Sequence, residues 1–435
     1  MKKTRPQFMP HALFNKIHAV FKQTVPDKPG QYDITTSDCL MSGFAVFSLK
    51  YPSLLQFDHE RQYEPTVRHN LTHLYGIERA PCDTYMRERL DGLPLSIIRS
   101  ALAPVFHLLQ RSKEMEKWKF LDKFYLLSLD GTGFFTSHKV HCDQCCEKVH
   151  KRGTKDEYTT YHHQMIVGSI VHPEMRQVLP IGFEPVERGD GSKKNDCERN
   201  SAKRWLGNFR QAHPQLPVVF LGDGLYSNAP FIRQVKKHRG KYILVARDDD
   251  HKALNDYFWA ATSPDVTDFT DTSQGITRRY RFMEHVPLND AHPDLLVTVI
   301  YYEEVNKKQE TIKWTWVTDL EVTAQNVSRI VKGARTRFKI ENETFNTIKN
   351  QGYNFEHNYG HGYKTLSNVF AGLMLLSFLI DQCLEAINVE FKAALKKWVS
   401  RIHLWQKIRS IFFHFRVSTW EKLYGAILDP PRLYL

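Results

Sequence analysis

A chain of 435 residues that is 42% hydrophobic, 12% aromatic and 25% charged has the balance of an ordinary globular protein with a large core. That excludes wholesale disorder and coiled-coil or collagen architectures, and at about 100–200 residues per domain it leaves room for two to four domains. Lys and Arg outnumber Asp and Glu by 60 to 48, a net charge of +12, which points to a polyanionic partner: nucleic acid first, an anionic membrane surface second. The 7 cysteines are an odd number in a long chain. The basic start MKKTRPQFMPHALFNK has no apolar run behind it, so reduced thiols and a cytoplasmic location are expected.

In chain order, residues 1–120 form a helical N-terminal region. Leu71, Leu74, Met86, Leu90, Leu93, Ile97, Ile98, Leu102 and Leu109 recur at helical spacings. Short helices joined at Gly76 and Pro81 suit either a helix-turn-helix-like DNA module or a plain helical bundle. From residue 121 the period changes. FYLLSLDGTGFF reads as a strand ending on Asp130, and TTYHHQMIVGSIVHP and QVLPIGFEPV as two more strands joined by a turn at Pro173 and Glu174. DCERNSAKRWLGNFRQAHP is an amphipathic helix, VVFLGDGLYS a strand ending on Asp223, NAPFIRQVKKHRG a helix ended by Gly240, and KYILVAR a strand. The order βββαβαβ over 121–247 predicts an α/β fold with a mixed sheet and helices on its faces.

Residues 248–320 interrupt this pattern as a β-rich insertion of two long stretches, with a turn at KKQ. Helical periodicity returns over 321–380. Leu366 to Ile380 is the most apolar stretch, shorter than the roughly 20 residues of a membrane span and closed by Asp381 and Glu385, so a buried helix and no membrane partner are expected. Residues 381–435 form a basic, aromatic helical tail.

Asp130 and Asp223 each end an apolar strand and precede a Gly turn, which places both charges at the sheet rim. Asp-Gly is also common turn chemistry, but two such carboxylates in a basic protein suggest Mg²⁺ acting on a phosphodiester. A third carboxylate is offered by Glu341, which as part of an α-helix would share a face with Arg337, Phe345 and Ile348; the plain alternative is an exposed Arg–Glu pair. Glu343 would then lie on a polar face where Lys339 can pair with it.

DGTGFF, FLGDGLYSNAPF and RTRFKIENETFNTIKNQGYNFEHNYGHG together resemble the DDE transposases of bacterial insertion sequences, of the insertion-sequence-four type. The resemblance covers about 125–365, with the acids 93 residues (130 to 223) and 118 residues (223 to 341) apart and the insertion between the last two. It implies a ribonuclease-H-like core with Asp130, Asp223 and Glu341 as catalytic residues and ligands of two Mg²⁺ ions, with Mn²⁺ able to substitute. The implied activity is DNA cleavage and strand transfer at terminal inverted repeats, on transposon-end and target duplexes, by a homodimer. The N-terminal region would read the ends. In the family's signature Arg337 and Glu341 fit, Ala334 stands where a Tyr is expected, and Ile348 where a Lys is expected, with Lys349 one residue late. Arg337 and Lys349 are the implied DNA contacts there. A ribonuclease-H-fold nuclease without strand transfer and a non-catalytic DNA-binding regulator are the alternatives.

Other residues invite roles. Lys193, Lys194, Arg199, Lys203 and Arg204 could contact phosphates, while Asp196 and Glu198 suit capping of the helix they open. Cys142-x2-Cys145, with Cys146, His138, His141 and His150 nearby, is half of a zinc pattern: Cys142, Cys145, His138 and His150 could form a small knuckle, or the segment is a reduced, Cys-rich hairpin loop. Of Tyr161, His162 and His163, alternation sends the two histidines to opposite faces, one core and the other near the site. The loop EHNYGHG could line a cleft or merely connect. Trp314 and Trp316 share a strand face, as β-core or, as the resemblance implies, as stacking partners for a flipped base.

Overall fold

The computed structural model describes residues 4–28, 30–191 and 194–430, the side chains of 194–196 excepted. Six helices open the chain: α1 (Pro10–Thr24), α2 (Thr36–Ser48), α3 (Leu54–Tyr63), α4 (Pro65–Tyr75), α5 (Asp83–Leu90) and α6 (Ser96–Arg111). Local chemistry sets their ends. The Thr35 hydroxyl accepts the Asp38 N–H at 3.0 Å to start α2, and Gly76, at φ 67°, takes the left-handed conformation that closes α4. The apolar positions expected from helical spacing are buried, Leu93 in part.

Among the described residues eleven strands form one mixed, largely antiparallel sheet: β1 (Lys119–Phe120), β2 (Phe124–Ser137), β3 (Cys146–His150), β4 (Tyr158–His172), β5 (Met175–Pro185), β6 (Val218–Gly222), β7 (Lys241–Val245), β8 (Thr267–Ser273), β9 (Ile276–Pro287), β10 (Leu296–Val305) and β11 (Thr311–Thr318). The main order is β3-β4-β2-β6-β7-β11-β10-β9-β8, with β1 on β2 and β5 on β4. Only β2–β6 and β6–β7 are parallel. The helices α7 (Lys194–Ala212) and α8 (Ala229–Lys237) make the crossovers that parallel pairing requires. The α/β class, the mixed sheet and the Pro173–Glu174 turn thus match the sequence pattern.

Three expectations change. The first strand does not end on Asp130: β2 runs on to Ser137, because β4 pairs along it as far as Ser137↔Tyr161, with a register shift between Gly133 and Phe135. The extra strand β3 pairs with the start of β4. Residues 248–320 hold a helix, α9 (Lys252–Ala260), and four strands in two hairpins, and they continue the sheet through the antiparallel β11–β7 pair. The first turn falls at Gln274 and Gly275, both at positive φ, which suits a two-residue hairpin.

The remaining helices are α10 (Val327–Arg335), α11 (Asn346–Asn350), α12 (Leu366–Ile387), α13 (Val389–Trp398), α14 (Arg401–His414) and α15 (Trp420–Leu428). The apolar stretch extends past Asp381 and Glu385 into the 22-residue α12, long and apolar enough to cross a membrane, yet 89% of its apolar window is buried in the fold. Both carboxylates are buried and paired. Lys50 Nζ donates to Asp381 at 2.7 Å and sits over the rings of Tyr353 and Trp405, while Arg401 grips Glu385 at 2.8–3.0 Å. The tail is folded onto the N-terminal helices: Asn70 donates to the Phe412 and Phe415 carbonyls, both at 2.7 Å, and Trp420 Nε1 to that of Leu74.

Candidate active site

Parallel pairing places Ser128 opposite Leu221. Two residues further on, Asp130 comes level with Asp223, at the point where β6 has ended and β2 continues alone toward β4. A carboxyl end of parallel strands is where an α/β sheet opens a crevice. Asp223 caps the following 3₁₀ turn, its Oδ1 accepting the Leu225 N–H at 3.0 Å. Asp130 Oδ1 accepts the Gly131 N–H at 2.8 Å.

The Glu341 segment is not the regular α-helix that the 3.6-residue period implies. After α10 come a 3₁₀ turn (Thr336–Phe338), a π-helical turn (Ile340–Phe345) and then α11. Widening to i→i+5 bonding resets the phase, so face arithmetic at about 100° per residue does not carry across it. The segment is docked on the sheet by Ser128 Oγ, which donates to the Arg337 carbonyl at 3.0 Å, and by the Ser169–Thr344 hydroxyl pair at 3.3 Å. Phe345 and Ile348 are buried as expected, and Glu341 is 46% exposed, in a 2.9 Å ion pair with Arg337. The same Arg337 nitrogen lies 3.7 Å from Asp130 Oδ2. Lys339 is spoken for: its ammonium donates to the carbonyls of His172, Pro173 and Met175 at the β4–β5 turn, rather than bonding Glu343.

Carboxylates from three separate elements thus lie in one region of the fold, and the charges of Asp223 and Glu341 act on Asp130, although the metal-spaced group of ligand atoms among the described residues is a Cys/His cluster and not these acids. Burial first, and then the charges of Asp223 and Glu341, push the Asp130 carboxyl up to about 7 against the pull of the Gly131 N–H and Arg337. A fourth acid reaches the same place. Glu198 on α7, expected as a capping residue, lies against Gly131, whose Cβ, if it had one, would sit 3.3 Å from the Glu198 carboxyl carbon. A cavity of 580 Å³ opens beside Asp223, lined also by Glu198, Arg199, Arg247, Asp250 and His251. Arg247 and His251 carry no motif in the sequence; only the β7 register brings the chain after it back over Asp223.

Several expected nucleic-acid contacts are otherwise engaged. Arg204 is held by Asp190 and Glu184 and by the Pro185 carbonyl, so it fastens α7 to the end of β5 rather than presenting charge to a phosphate. Lys203 donates to Asn200 at 3.1 Å, and Lys349 pairs with Glu356 at 2.8 Å. Arg337 is 11% exposed and sits among the acids, in a positioning place rather than on an open surface. Lys193 and the side chains of Lys194 and Asp196 lie outside the described residues. Trp314 and Trp316 share a face and stack at 5.9 Å, but Trp316 is buried in the core and is not open to a base; Trp314 is half-buried and meets Phe338 edge-on.

The Cys142–Cys145 knuckle gathers different histidines from those adjacent in sequence. His150 bonds the Thr160 hydroxyl and stacks on Tyr158, which His138 also touches. Neither reaches the sulfurs. Instead His163 from β4 lies 3.3 and 3.4 Å from Cys142 and Cys145 Sγ, and His361 from the EHNYGHG loop lies 3.2 Å from Cys145 Sγ, in each case through Nε2. Cys146 points elsewhere, donating to the Val186 carbonyl. Alternation correctly separates His163, which is buried, from half-buried His162, but the chain offers no local signal joining His163 to His361. No model of a known protein family matches the chain, and no curated protein matches it significantly.

Proposed function

We propose that this chain is a DDE-type DNA transposase on a ribonuclease-H-like core, with Asp130, Asp223 and Glu341 as its catalytic residues. The observation that carries the reading is the strand register that sets Asp130 level with Asp223, together with the docked segment whose Arg337 touches both Asp130 and Glu341. The donor set suits hard divalent cations: it is all-oxygen and acidic, and it includes one carboxyl, Asp130, whose pKa is raised by burial first and then by the neighbouring acids. Bound there, Mg²⁺ or Mn²⁺ would supply an activated water or 3′-hydroxyl and stabilisation of the leaving 3′-oxygen.

The chain's own residues do the rest. Asp130 is fixed by the rigidity of a strand paired on both sides up to residue 128. Asp223 is oriented by its bond to the Leu225 amide. Glu341 is the more exposed member, and Arg337 lies between Asp130 and Glu341, where its charge offsets theirs. The +12 charge supports duplex DNA as the substrate; a homodimer pairing two ends is part of the proposal.

The test uses duplexes carrying inverted repeats from the DNA that flanks the coding sequence. Nicking or double-strand cutting in Mg²⁺ or Mn²⁺, abolished in Asp130→Asn and Asp223→Asn while end binding persists, is the expected result. Joining of a pre-cut 3′ end to a second duplex identifies a transposase; cutting without joining identifies a nuclease. Robust cutting by either mutant refutes the assignment of the acids.

A further inference from the structure

Cys142, Cys145, His163 and His361 are all buried, between 1% and 8% exposed, and their donor atoms lie within 4.8 Å of one another. Bonds of about 2.3 Å to sulfur and about 2.0–2.1 Å to nitrogen in a tetrahedron put sulfurs about 3.8 Å apart and each sulfur about 3.6 Å from each nitrogen. The observed sulfur–sulfur distance is 3.9 Å, three of the four sulfur–nitrogen distances are 3.2–3.4 Å, and the fourth pair, Cys142 and His361, lies within the same 4.8 Å group. Two buried imidazoles aimed at two thiols, which are weak donors and acceptors, are poorly satisfied by each other alone. The His361 Nδ1 is buried without a protein hydrogen-bond partner among the described residues, so bonding at Nε2 must carry that ring.

We propose that Cys142, Cys145, His163 and His361 form a closed, structural Zn²⁺ site that locks the β2–β3 connection to β4 and to the loop leading into α12. Thiolate and imidazole at tetrahedral spacing select zinc over Mg²⁺ or Ca²⁺. Four protein ligands leave no open position for substrate. Binding converts two thiols and two neutral imidazoles into a neutral Zn(Cys⁻)₂(His)₂ unit, with two protons released to solvent.

The surroundings fit a fastening role. Phe134 stacks on His163, and the Phe135 ring lies tilted against His361 with centroids 4.2 Å apart, so the far half of the Asp130 strand packs on the site. The Asp143 N–H donates to the Tyr363 carbonyl across the same junction. Asp91 from the end of α5 accepts the amides of Tyr363, Lys364, Thr365 and Leu366 at 2.8–3.1 Å, holding the segment just after His361. Gly360 and Gly362 flank it at φ 130° and 67°, where Cβ atoms would collide with Arg87 and Asp91. The ligands thus come from three pieces of chain, and the last lies between the Glu341 segment and α12.

Elemental analysis of the full chain, purified in a thiol reductant, is expected to give about one zinc per chain, and replacement by Co²⁺ is expected to show the intense ligand-field and sulfur charge-transfer bands of a tetrahedral thiolate site. Cys145→Ser and His361→Ala should each lower the zinc content at least tenfold, whereas His138→Ala, His150→Ala and Cys146→Ser should retain it. If the ligand variants do not fold, the unmodified protein decides. No zinc, with Cys142 and Cys145 titrating as free thiols or forming a disulfide, overturns the proposal, as does loss of zinc from His150→Ala with retention in His361→Ala. None of these readouts involves DNA cleavage, so the site stands or falls separately from the transposase assignment.

Discussion

Asp130 gives the sharpest test of the acidic cluster because its prediction runs against the usual sign for a carboxylate. Its folded-state pKa is raised from 3.8 to about 7, chiefly by burial and then by Asp223 and Glu341. A group raised in this way supports folding fully below its unfolded pKa and loses that support as pH rises through the folded value, because the unfolded chain ionises first. The gap between 3.8 and about 7, at about 1.4 kcal/mol per pKa unit, sets a ceiling of about 4 kcal/mol. The side chain keeps 20% of its surface exposed, and solvent screening brings the expected effect to about 2 kcal/mol. Asp130→Asn removes the charge while keeping the shape. With no Mg²⁺ or Mn²⁺ added, denaturant unfolding should show no advantage for the mutant below about pH 4, a growing one through pH 5 and 6, and a plateau above about pH 7. Adding Mg²⁺ at pH 8 should stabilise the parent protein and leave the mutant unmoved. A mutant that is less stable than the parent at pH 8, or an offset independent of pH, refutes the raised pKa of Asp130.

Glu341→Gln should abolish metal-dependent cleavage while costing less than about 1 kcal/mol in unfolding, since the ion pair it breaks is half in water; Glu343→Gln should keep most activity, and reversed outcomes in a cleavage assay would show that the π-helical turn aims the other glutamate at the site. Lys50→Met should destabilise the fold by about 3–5 kcal/mol by leaving a buried carboxylate without its cation, with most of the loss recovered in the double variant Lys50→Met/Asp381→Leu; calorimetric melting of the four proteins checks the coupling. Affinity for duplex DNA should fall linearly on a log–log salt plot, with a slope of about −0.9 per phosphate contacted, and a flat isotherm from about 50 to 200 mM salt would remove DNA as the substrate.

The order of elements was legible because burial leaves a periodic trace. Strands β4 and β5, helix α8 and the buried α12 all follow from apolar spacing and from breakers such as Pro173 and Gly240. The end of the first strand was not legible, since the Gly131-Thr132-Gly133 run looks like a turn when read alone. What keeps it extended is β4, whose pairing continues to Ser137, and a partner strand lies outside any local window. The π-helical turn is equally silent: Ile340, Phe345 and Ile348 suit an α-helical face and are indeed buried, so the change of bonding between them leaves no mark in the pattern. The basic residues mislead for another reason. Arg204 carries the charge of a phosphate ligand, but its fate is set by Glu184 and Asp190, whose proximity is tertiary.

The two polar clusters share a logic that explains why one was easier to find than the other. Asp130 and Asp223 follow apolar strands, and parallel pairing with an offset of 93 residues (128 to 221) sets them side by side; a motif at a strand end is informative because the sheet converts sequence position into spatial level. The Cys/His cluster has no such converter. His163 is one of a pair on β4 and His361 one of several polar residues in an irregular loop, and their meeting at Cys145 depends on how that loop is pinned by Asp91. Yet the two clusters bear on one strand: β2 carries Asp130 near its middle and, four and five residues on, the phenylalanines whose rings pack against the two histidines. A cation among the sulfurs would therefore hold rigid the outer half of the strand whose inner half presents the acid. That coupling is mechanical, since the sulfur site is closed and no proton or electron need pass between the clusters, so loss of the buried site should loosen the aim of Asp130 without changing which groups the proposed chemistry uses.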